Sequence, residues 1–362
     1  MLTNERRATA KLRDDPTRLD AVYARLREDV TNGVVPTAAL AIGDADGQIR
    51  AEAAGGRRRQ VTTDDYFFLA SVTKPIFATA FMQLVEDGLV GLDDPIANWL
   101  PEFDDGHKRL VTARQLLTHT SGVPDYPLEE VARDRPSVEK QTRVTLAATL
   151  LAEPGTRYEY CSSSYLVLAA MIERITSKRY RAFLHERILD PLDMRTTFDP
   201  RRAGRRIVPV EGVGVDNAIV RFLMLRYLAG TALPGGGLFG TLEDLIRFGA
   251  ATLRPRRVDG RDIPSSSETF ALMGEDQLNG VTGLYDGEER EVHHGLGWGK
   301  PTLMHDLPGS PRVVSHGGAS GTRLWIDPDA GLVFVYFTNR WSADRSSETA
   351  ALAGTYRALG AG

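Results

Sequence analysis

The sequence has little cysteine, no long hydrophobic run and little net charge, and each of these absences excludes a class of protein or site. A single cysteine, Cys161, excludes an internal disulfide and a metal site built from several cysteines. The longest apolar run, residues 166–172, is too short to span a bilayer, and the first ten residues, MLTNERRATA, lack the apolar segment of a signal peptide. We therefore expect a cytoplasmic chain that does not enter a membrane.

A net charge of −4 over 362 residues gives no general attraction for nucleic acid. Basic runs at residues 57–59, 201–206 and 254–257 contain no interleaved aromatic residues, so we expect solvated loops or faces there. With 42% hydrophobic residues, a chain of this length can bury a large core, in one domain or in two interlocked ones.

The two ends of the sequence carry similar patterns. Helical spacing over residues 15–30 precedes two predicted strands, 36–44 and 47–54, and two more strands, 322–326 and 332–338, precede a predicted helix over 343–359. The long middle shows mostly helical patterns. We therefore predict an α+β fold with an antiparallel β-sheet flanked by N- and C-terminal helices. Residues 1–70 and 295–362 would form this sheet lobe, and residues 71–294 would form a mostly helical second lobe. The active site would lie in the cleft between the two lobes.

Residues 67–88, FFLASVTKPIFATAFMQLVEDG, join a candidate nucleophile to a candidate base. Apolar residues recur with helical period, which predicts a helix from about Ser71 to Gly88 with one face in the core. A spacing of three residues would bring Lys74 beside Ser71, where its amine could reach the hydroxyl. Burial of this first turn would disfavour the charged ammonium, which makes a lysine able to accept a proton.

The Ser-x-x-Lys pattern alone is weak evidence, because both residue types are common. Ser137 and Lys140 repeat it among charged residues, where no apolar group could exclude water from the lysine. We interpret this second match as an exposed helix start.

Two other stretches could contribute to a catalytic site. Tyr160 comes just before a helix predicted to run from residue 163 or 164 to 176, and could point into a cleft. Residues 313–321, VVSHGGASG, predict a short strand that runs into a glycine-rich edge, where free N–H groups could bind a developing oxyanion.

The glycine run over residues 235–241 lacks the Gly-Lys-Ser or Gly-Lys-Thr ending of a phosphate loop, so we interpret it as a tight turn under the cleft. His119 is interpreted as a structural histidine in its turn. His293 and His294 have no partner at the spacing of metal ligands and are also interpreted as structural.

The motifs Ser-x-x-Lys, Tyr-x-Ser and His-Gly-Gly, beginning at Ser71, Tyr160 and His316, resemble in type and order those of the serine β-lactamase and penicillin-binding-protein superfamily. Stretches such as LVEDGLVGLDDPI, LLTHTSGVPDY and PGTRYEYCSSSYLVLAAMIE resemble its class C-like branch, that of the family VIII-type esterases. The resemblance covers about residues 38–339 and implies a β-lactamase/transpeptidase-like fold.

The resemblance also implies a role for each matching residue. Ser71 corresponds to the acylated serine, Lys74 to the lysine that takes or relays its proton, and Tyr160 to the tyrosine that protonates the leaving group and later activates water. The backbone N–H groups of Ser71 and Ala319 correspond to the oxyanion hole. No metal or other cofactor is implied, because lysine and tyrosine supply the proton transfers.

Several residues at the implied substrate-binding positions depart from the family pattern. Ser162 stands where asparagine is usual, His316 replaces a lysine and would carry only a partial charge near neutral pH, and Gly317 replaces a threonine. Gly318 is as expected. These changes weaken recognition of a carboxylated β-lactam or a D-alanyl peptide. Cys161, beside Ser162, is interpreted as a small buried filler, although its thiol could make the site sensitive to oxidation.

We therefore predict a serine hydrolase that acts on a small-molecule ester or amide, first of all a carboxylesterase for small acyl esters. The alternatives within the enzyme class are a β-lactamase, a D-amino-acid-specific peptidase or amidase, and an acyltransferase to a metabolite alcohol. The alternative from a different class is a catalytically silent homologue that only binds a ligand.

Overall fold

The computed structural model describes residues 6–56, 59–212 and 231–360, together with Tyr227. The α-helices are α1 (Arg6–Asp14), α2 (Asp20–Thr31), α3 (Thr73–Glu86), α4 (Ala113–Leu117), α5 (Leu128–Asp134), α6 (Val138–Ala147), α7 (Ser164–Thr176), α8 (Tyr180–Leu184), α9 (Leu242–Leu253), α10 (Ser267–Gly274), α11 (Pro301–Met304) and α12 (Ser346–Leu359). The strands are β1 (Thr37–Asp44), β2 (Gly47–Gly55), β3 (Phe67–Phe68), β4 (Phe239–Gly240), β5 (Arg256–Val258), β6 (Arg261–Ile263), β7 (Thr282–Tyr285), β8 (Glu288–Glu291), β9 (Val314–Gly318), β10 (Thr322–Asp327) and β11 (Leu332–Phe337).

Strands from both ends of the chain form the central antiparallel sheet, in the order β2-β1-β11-β10-β9. The two ends meet where β1 pairs with β11, with Ala39 opposite Phe337. Both predicted hairpins are present as β1-β2 and β10-β11. The predicted α+β fold with its antiparallel sheet is therefore confirmed.

Helices cover both faces of this sheet. Helices α2 and α12 pack on the face that buries Trp325 and Phe334. Helix α9 packs on the other face, so closely that a Cβ on Gly249 would lie 2.5 Å from the Val333 side chain. Because α9 falls within residues 71–294, which we assigned to the second lobe, the two lobes interlock more closely than that division implies.

Helix α3 lies at the centre of the mostly helical part. The prediction that only one of its faces is in the core is wrong, since every residue from Thr73 to Leu84 is buried. Helices α7 and α8 and the π-helical turn His185–Leu189 pack around it. Its buried amide Gln83 is satisfied by donating to the carbonyl of Pro264 at 2.6 Å.

The basic runs predicted as solvated loops or faces lie partly within the described residues. Arg57 and Arg58 lie outside the described residues, whereas Arg201 and Arg257 are exposed and pair with Asp199 and Asp262. Among the described residues, no helix is long and apolar enough to cross a membrane. The same part of the chain contains no group of three or more His, Cys, Asp or Glu residues that could hold a metal ion.

Candidate active site

Ser71 lies in a short turn that precedes helix α3. The 3-10 turn Ala70–Val72 joins β3 to the helix, so α3 begins at Thr73, two residues later than predicted. Ala70 has a φ of 46°, in the left-handed region that residues other than glycine rarely adopt. Such backbone strain persists only where the surrounding structure enforces it, as it often does at functional residues. The turn leaves Ser71 half-buried at the edge of a cleft.

Lys74 is 0% exposed, and three oxygen atoms surround its amine. The Nζ atom donates to Ser71 Oγ at 3.2 Å, to Ser162 Oγ at 3.1 Å and to the carbonyl of Gly235 at 2.8 Å. The structure therefore brings the predicted nucleophile and base together. The glycine run lies under them as we expected, and it contributes a carbonyl oxygen that orients the lysine.

The aromatic ring of Tyr160 lies beside the amine of Lys74. Lys74 Nζ is 4.8 Å from the ring centroid, and the tyrosine, 39% exposed, lines the cleft. The ring of His119 packs against the ring of Tyr160, with centroids 4.5 Å apart. His119 Nδ1 also accepts a hydrogen bond from the Cys161 N–H at 3.2 Å. His119 therefore has a structural role, but its side chain bonds to the Tyr160–Cys161 segment and not to its own turn as we predicted.

Strand β9 forms the opposite wall of the cleft. It carries His316, Gly317 and Gly318, and Ala319 begins the turn into β10. The cleft has a volume of about 530 Å³ and is lined by these four residues together with Ser71. A larger cavity of about 930 Å³ lies elsewhere and contains none of the predicted site residues, so we place the active site in the smaller cleft.

Two hydroxyl groups bond the β9-β10 turn to the turn of Ser71. Ser320 Oγ donates to the carbonyl of Phe68 at 2.5 Å, and Thr322 Oγ1 donates to the carbonyl of Leu69 at 2.8 Å. Gly318 makes this approach possible, because a Cβ there would lie 2.4 Å from the Leu69 carbonyl oxygen. The two backbone N–H groups predicted to form an oxyanion hole therefore lie on turns that are bonded to each other.

A family model described as Beta-lactamase matches residues 22–357, which is most of the chain. The chain belongs to the β-lactamase family.

Two curated relatives of this β-lactamase-family protein have different described activities. Esterase EstB of Burkholderia gladioli is 31% identical over 370 aligned residues, which cover 89% of this chain and 90% of the esterase. Penicillin-binding protein 4 of Amycolatopsis lactamdurans is 31% identical over 322 residues, which cover 84% of this chain and 81% of that protein. Together they identify the chain as a serine hydrolase of the β-lactamase and penicillin-binding-protein superfamily.

One solved structure supports the fold. It is described as EstCE1, a hydrolase with promiscuous acyltransferase activity, and has a TM-score of 0.76 and 22% identity, covering 95% of this chain and 99% of its own. At this identity, the likeness shows the shared fold alone.

Two residues at predicted substrate-binding positions have contacts that the sequence did not indicate. The hydroxyl of Ser162 accepts a hydrogen bond from Lys74, so it orients the amine, and its role toward substrate stays a prediction. Burial, with a smaller effect of the nearby Lys74, holds the pKa of His316 well below its usual range. The prediction of a partial charge on His316 near neutral pH is therefore wrong, because a buried imidazole whose pKa is lowered in this way is neutral.

The sequence did not place His294 in the site, yet it lines the cleft behind Tyr160. Its ring lies edge-on to that of His119, with centroids 5.2 Å apart. Burial lowers the pKa of His294 to about 4 and holds that of His119 well below its usual range. No spacing pattern could have shown this contact, because packing between distant parts of the chain creates it.

Cys161 is buried, as predicted. Its thiol donates to Asp125 at 3.5 Å, and burial raises the pKa of the thiol to about 12. Since oxidation proceeds through the thiolate, this environment disfavours the oxidation-sensitive alternative.

Proposed function

We propose that this serine hydrolase is a carboxylesterase for small acyl esters and that it works through a covalent acyl-enzyme on Ser71. The observation that carries the proposal is the Lys74 amine, held 3.2 Å from Ser71 Oγ by two further oxygen atoms in a fully buried position. A base in hydrogen-bond contact with a hydroxyl, and itself oriented by other groups, is the arrangement that activates a serine nucleophile.

The proposed reaction has two halves. In the first, which requires Lys74 as the neutral amine, Ser71 Oγ attacks the ester carbonyl carbon while its proton passes to the lone pair of Lys74 Nζ, and the carbonyl oxygen becomes an oxyanion stabilised by the N–H groups of Ser71 and Ala319. The carbon–oxygen bond to the alcohol then breaks, and the alcohol takes a proton through Tyr160. In the second half, water adds to the acyl-enzyme with the same groups in reverse roles, releasing the acid and restoring the serine.

Esters are favoured over β-lactams by what the cleft lacks. The position that would carry a lysine holds the neutral His316, so no charge at this position attracts a substrate carboxylate. The hydroxyl of Ser162 is engaged with Lys74. The curated relative described as an esterase, at 31% identity, agrees with this preference.

The proposal is tested by intact-protein mass spectrometry after brief exposure to p-nitrophenyl butyrate, with release of nitrophenol followed in parallel. We expect a butyryl adduct or steady release in the wild type, and in Ser71→Ala no adduct and a rate lower by roughly 10³-fold or more. Ser137→Ala is the matched control and should behave as the wild type. Wild-type rates in purified, folded Ser71→Ala would overturn the mechanism.

Two alternatives are tested by repeating the rate measurements with other substrates or with an added alcohol. Turnover of nitrocefin or of D-amino-acid amides without ester turnover would favour the penicillin-binding-protein relative as the guide to substrate. Transfer of the butyryl group to an added alcohol would favour an acyltransferase, an activity that the description of EstCE1 attributes to that protein.

A further inference from the structure

The charge on the β9 wall of the cleft belongs to Arg323, which the sequence did not single out. Arg323 in β10 is the strand partner of Gly317 in β9. A Cβ placed on Gly317 would lie 3.2 Å from the guanidinium carbon and from Nη1 of Arg323. The guanidinium group therefore occupies the space over Gly317 that a larger side chain would need.

This guanidinium group is paired inside the wall. Arg323 Nε donates to Glu348 Oε1 at 2.6 Å, and Nη1 donates to Ser315 Oγ at 3.3 Å. The side chains of Arg323 and Glu348 are only 11% and 12% exposed. Both residues line the same cleft as Ser71. Because solvent screens a pair this buried only weakly, Glu348 cancels most of the positive charge that a substrate would meet.

The other charged groups on this part of the cleft do not restore a positive charge. Asp286, Asp344 and Arg345 line it, so the carboxylates, with Glu348, outnumber the two guanidinium groups. His316 is neutral for the reason given above. A carboxylate on the substrate would have to compete with Glu348 for Arg323 and would meet two further acids nearby.

We propose that the Arg323–Glu348 pair makes the site selective for the charge of the substrate. The site accepts esters with uncharged acyl groups and disfavours esters that carry a carboxylate. This inference rests on the proposed esterase function and specifies its substrate class. In this proposal, Glu348 masks the positive charge of Arg323, which lies within reach of the substrate.

The test compares two esters of matched length, p-nitrophenyl pentanoate and mono-p-nitrophenyl glutarate, as a ratio of kcat/KM values. Glu348→Gln keeps the shape of the side chain and an acceptor oxygen for Arg323 Nε, but removes the negative charge. We expect the ratio of glutarate to pentanoate to rise about tenfold, as when a partly buried charge gains a partner. The gain should shrink in high salt.

Two further variants separate charge unmasking from a general disturbance. The double variant Arg323→Gln with Glu348→Gln should lose the gain, because the guanidinium group that Glu348 masks is gone. Glu186→Gln, which breaks the exposed pair with Lys178 outside the cleft, should leave both rates unchanged. A Glu348→Gln ratio equal to that of the wild type, or a gain that persists without Arg323, would overturn the proposal.

Failure of the esterase proposal itself would be visible separately, as absence of turnover of both esters by the wild type. In that case, binding of monomethyl glutarate, measured by titration calorimetry, would test the charge rule directly. Tighter binding to Glu348→Gln than to the wild type would support it, and equal affinities would contradict it.

Discussion

The chain contains the same four-residue pattern twice, and the two copies have opposite surroundings. At the first, Lys74 is fully buried and its amine donates to Ser71 Oγ. At the second, Ser137 is the N-cap of α6, and its hydroxyl accepts from the backbone N–H of Lys140 at 3.2 Å, while Lys140 is exposed. In the first copy the side chains bond to each other, whereas in the second the serine bonds to the backbone.

The difference shows that spacing supplies only proximity. What makes the first pair suited to catalysis is the set of groups that hold the amine, namely the hydroxyl of Ser162 and the carbonyl of Gly235, together with exclusion of water. In the second copy, Lys140 is exposed to water, and the serine hydroxyl bonds to the backbone N–H of Lys140 instead of to its amine. The three predictions below test this contrast in order of decreasing effect.

The largest effect is expected from replacing the two lysines in turn. Lys74→Met should lower kcat/KM for p-nitrophenyl butyrate by about 10³-fold, because the serine loses the base that takes its proton. Lys140→Met should change the rate by less than about twofold, as is usual for an exposed side chain away from the site. Steady-state kinetics on both variants, with circular dichroism to check the fold, is the measurement. Comparable losses in both variants would mean that spacing, and not burial, defines the pair.

A smaller effect is expected from loosening the turn that carries Ser71. Thr322→Val removes the hydroxyl that donates to the Leu69 carbonyl, so the oxyanion N–H groups lose part of their alignment. We expect kcat to fall about tenfold with little change in KM, since alignment matters most in the transition state. Thr322→Ser keeps the hydroxyl and should restore kcat. If Thr322→Ser were as slow as Thr322→Val, the bond to Leu69 would not be the cause.

The parts of this molecule that sequence patterns predicted are those in which the interacting residues are close along the chain. The two hairpins follow from local chemistry. So does the contact of Lys74 with Ser71. The groups that orient Lys74, and the guanidinium of Arg323 over Gly317, come from distant parts of the chain or from a neighbouring strand. Their meeting depends on the tertiary fold, which no local period records.

The smallest effect concerns the surroundings of the first pair, where the neighbouring histidines are kept neutral. The folded-state pKa of His294 is lowered to about 4 from about 6.5 in an unfolded chain, so the unfolded state binds more protons between these values. The contribution of His294 to stability is therefore present above about pH 6.5 and is lost as the pH falls toward 4. Between pH 7.5 and 5.5, His294 alone should cost about 1 kcal/mol of unfolding free energy.

Urea unfolding of the wild type and of His294→Gln at pH 7.5 and 5.5 measures this contribution. The free energy that is lost between the two pH values should be smaller in the variant by about 1 kcal/mol, and any pH-independent packing cost of the substitution cancels in that difference. The control is His107→Gln, which changes an exposed histidine and leaves the buried cluster intact. The result that would contradict this is an equal loss of unfolding free energy in the wild type and in His294→Gln. His294 would then accept a proton as readily in the folded protein as in the unfolded chain, which would mean that water reaches the region behind Tyr160. The contrast between the two Ser-x-x-Lys copies would then rest on bonding alone, without exclusion of water.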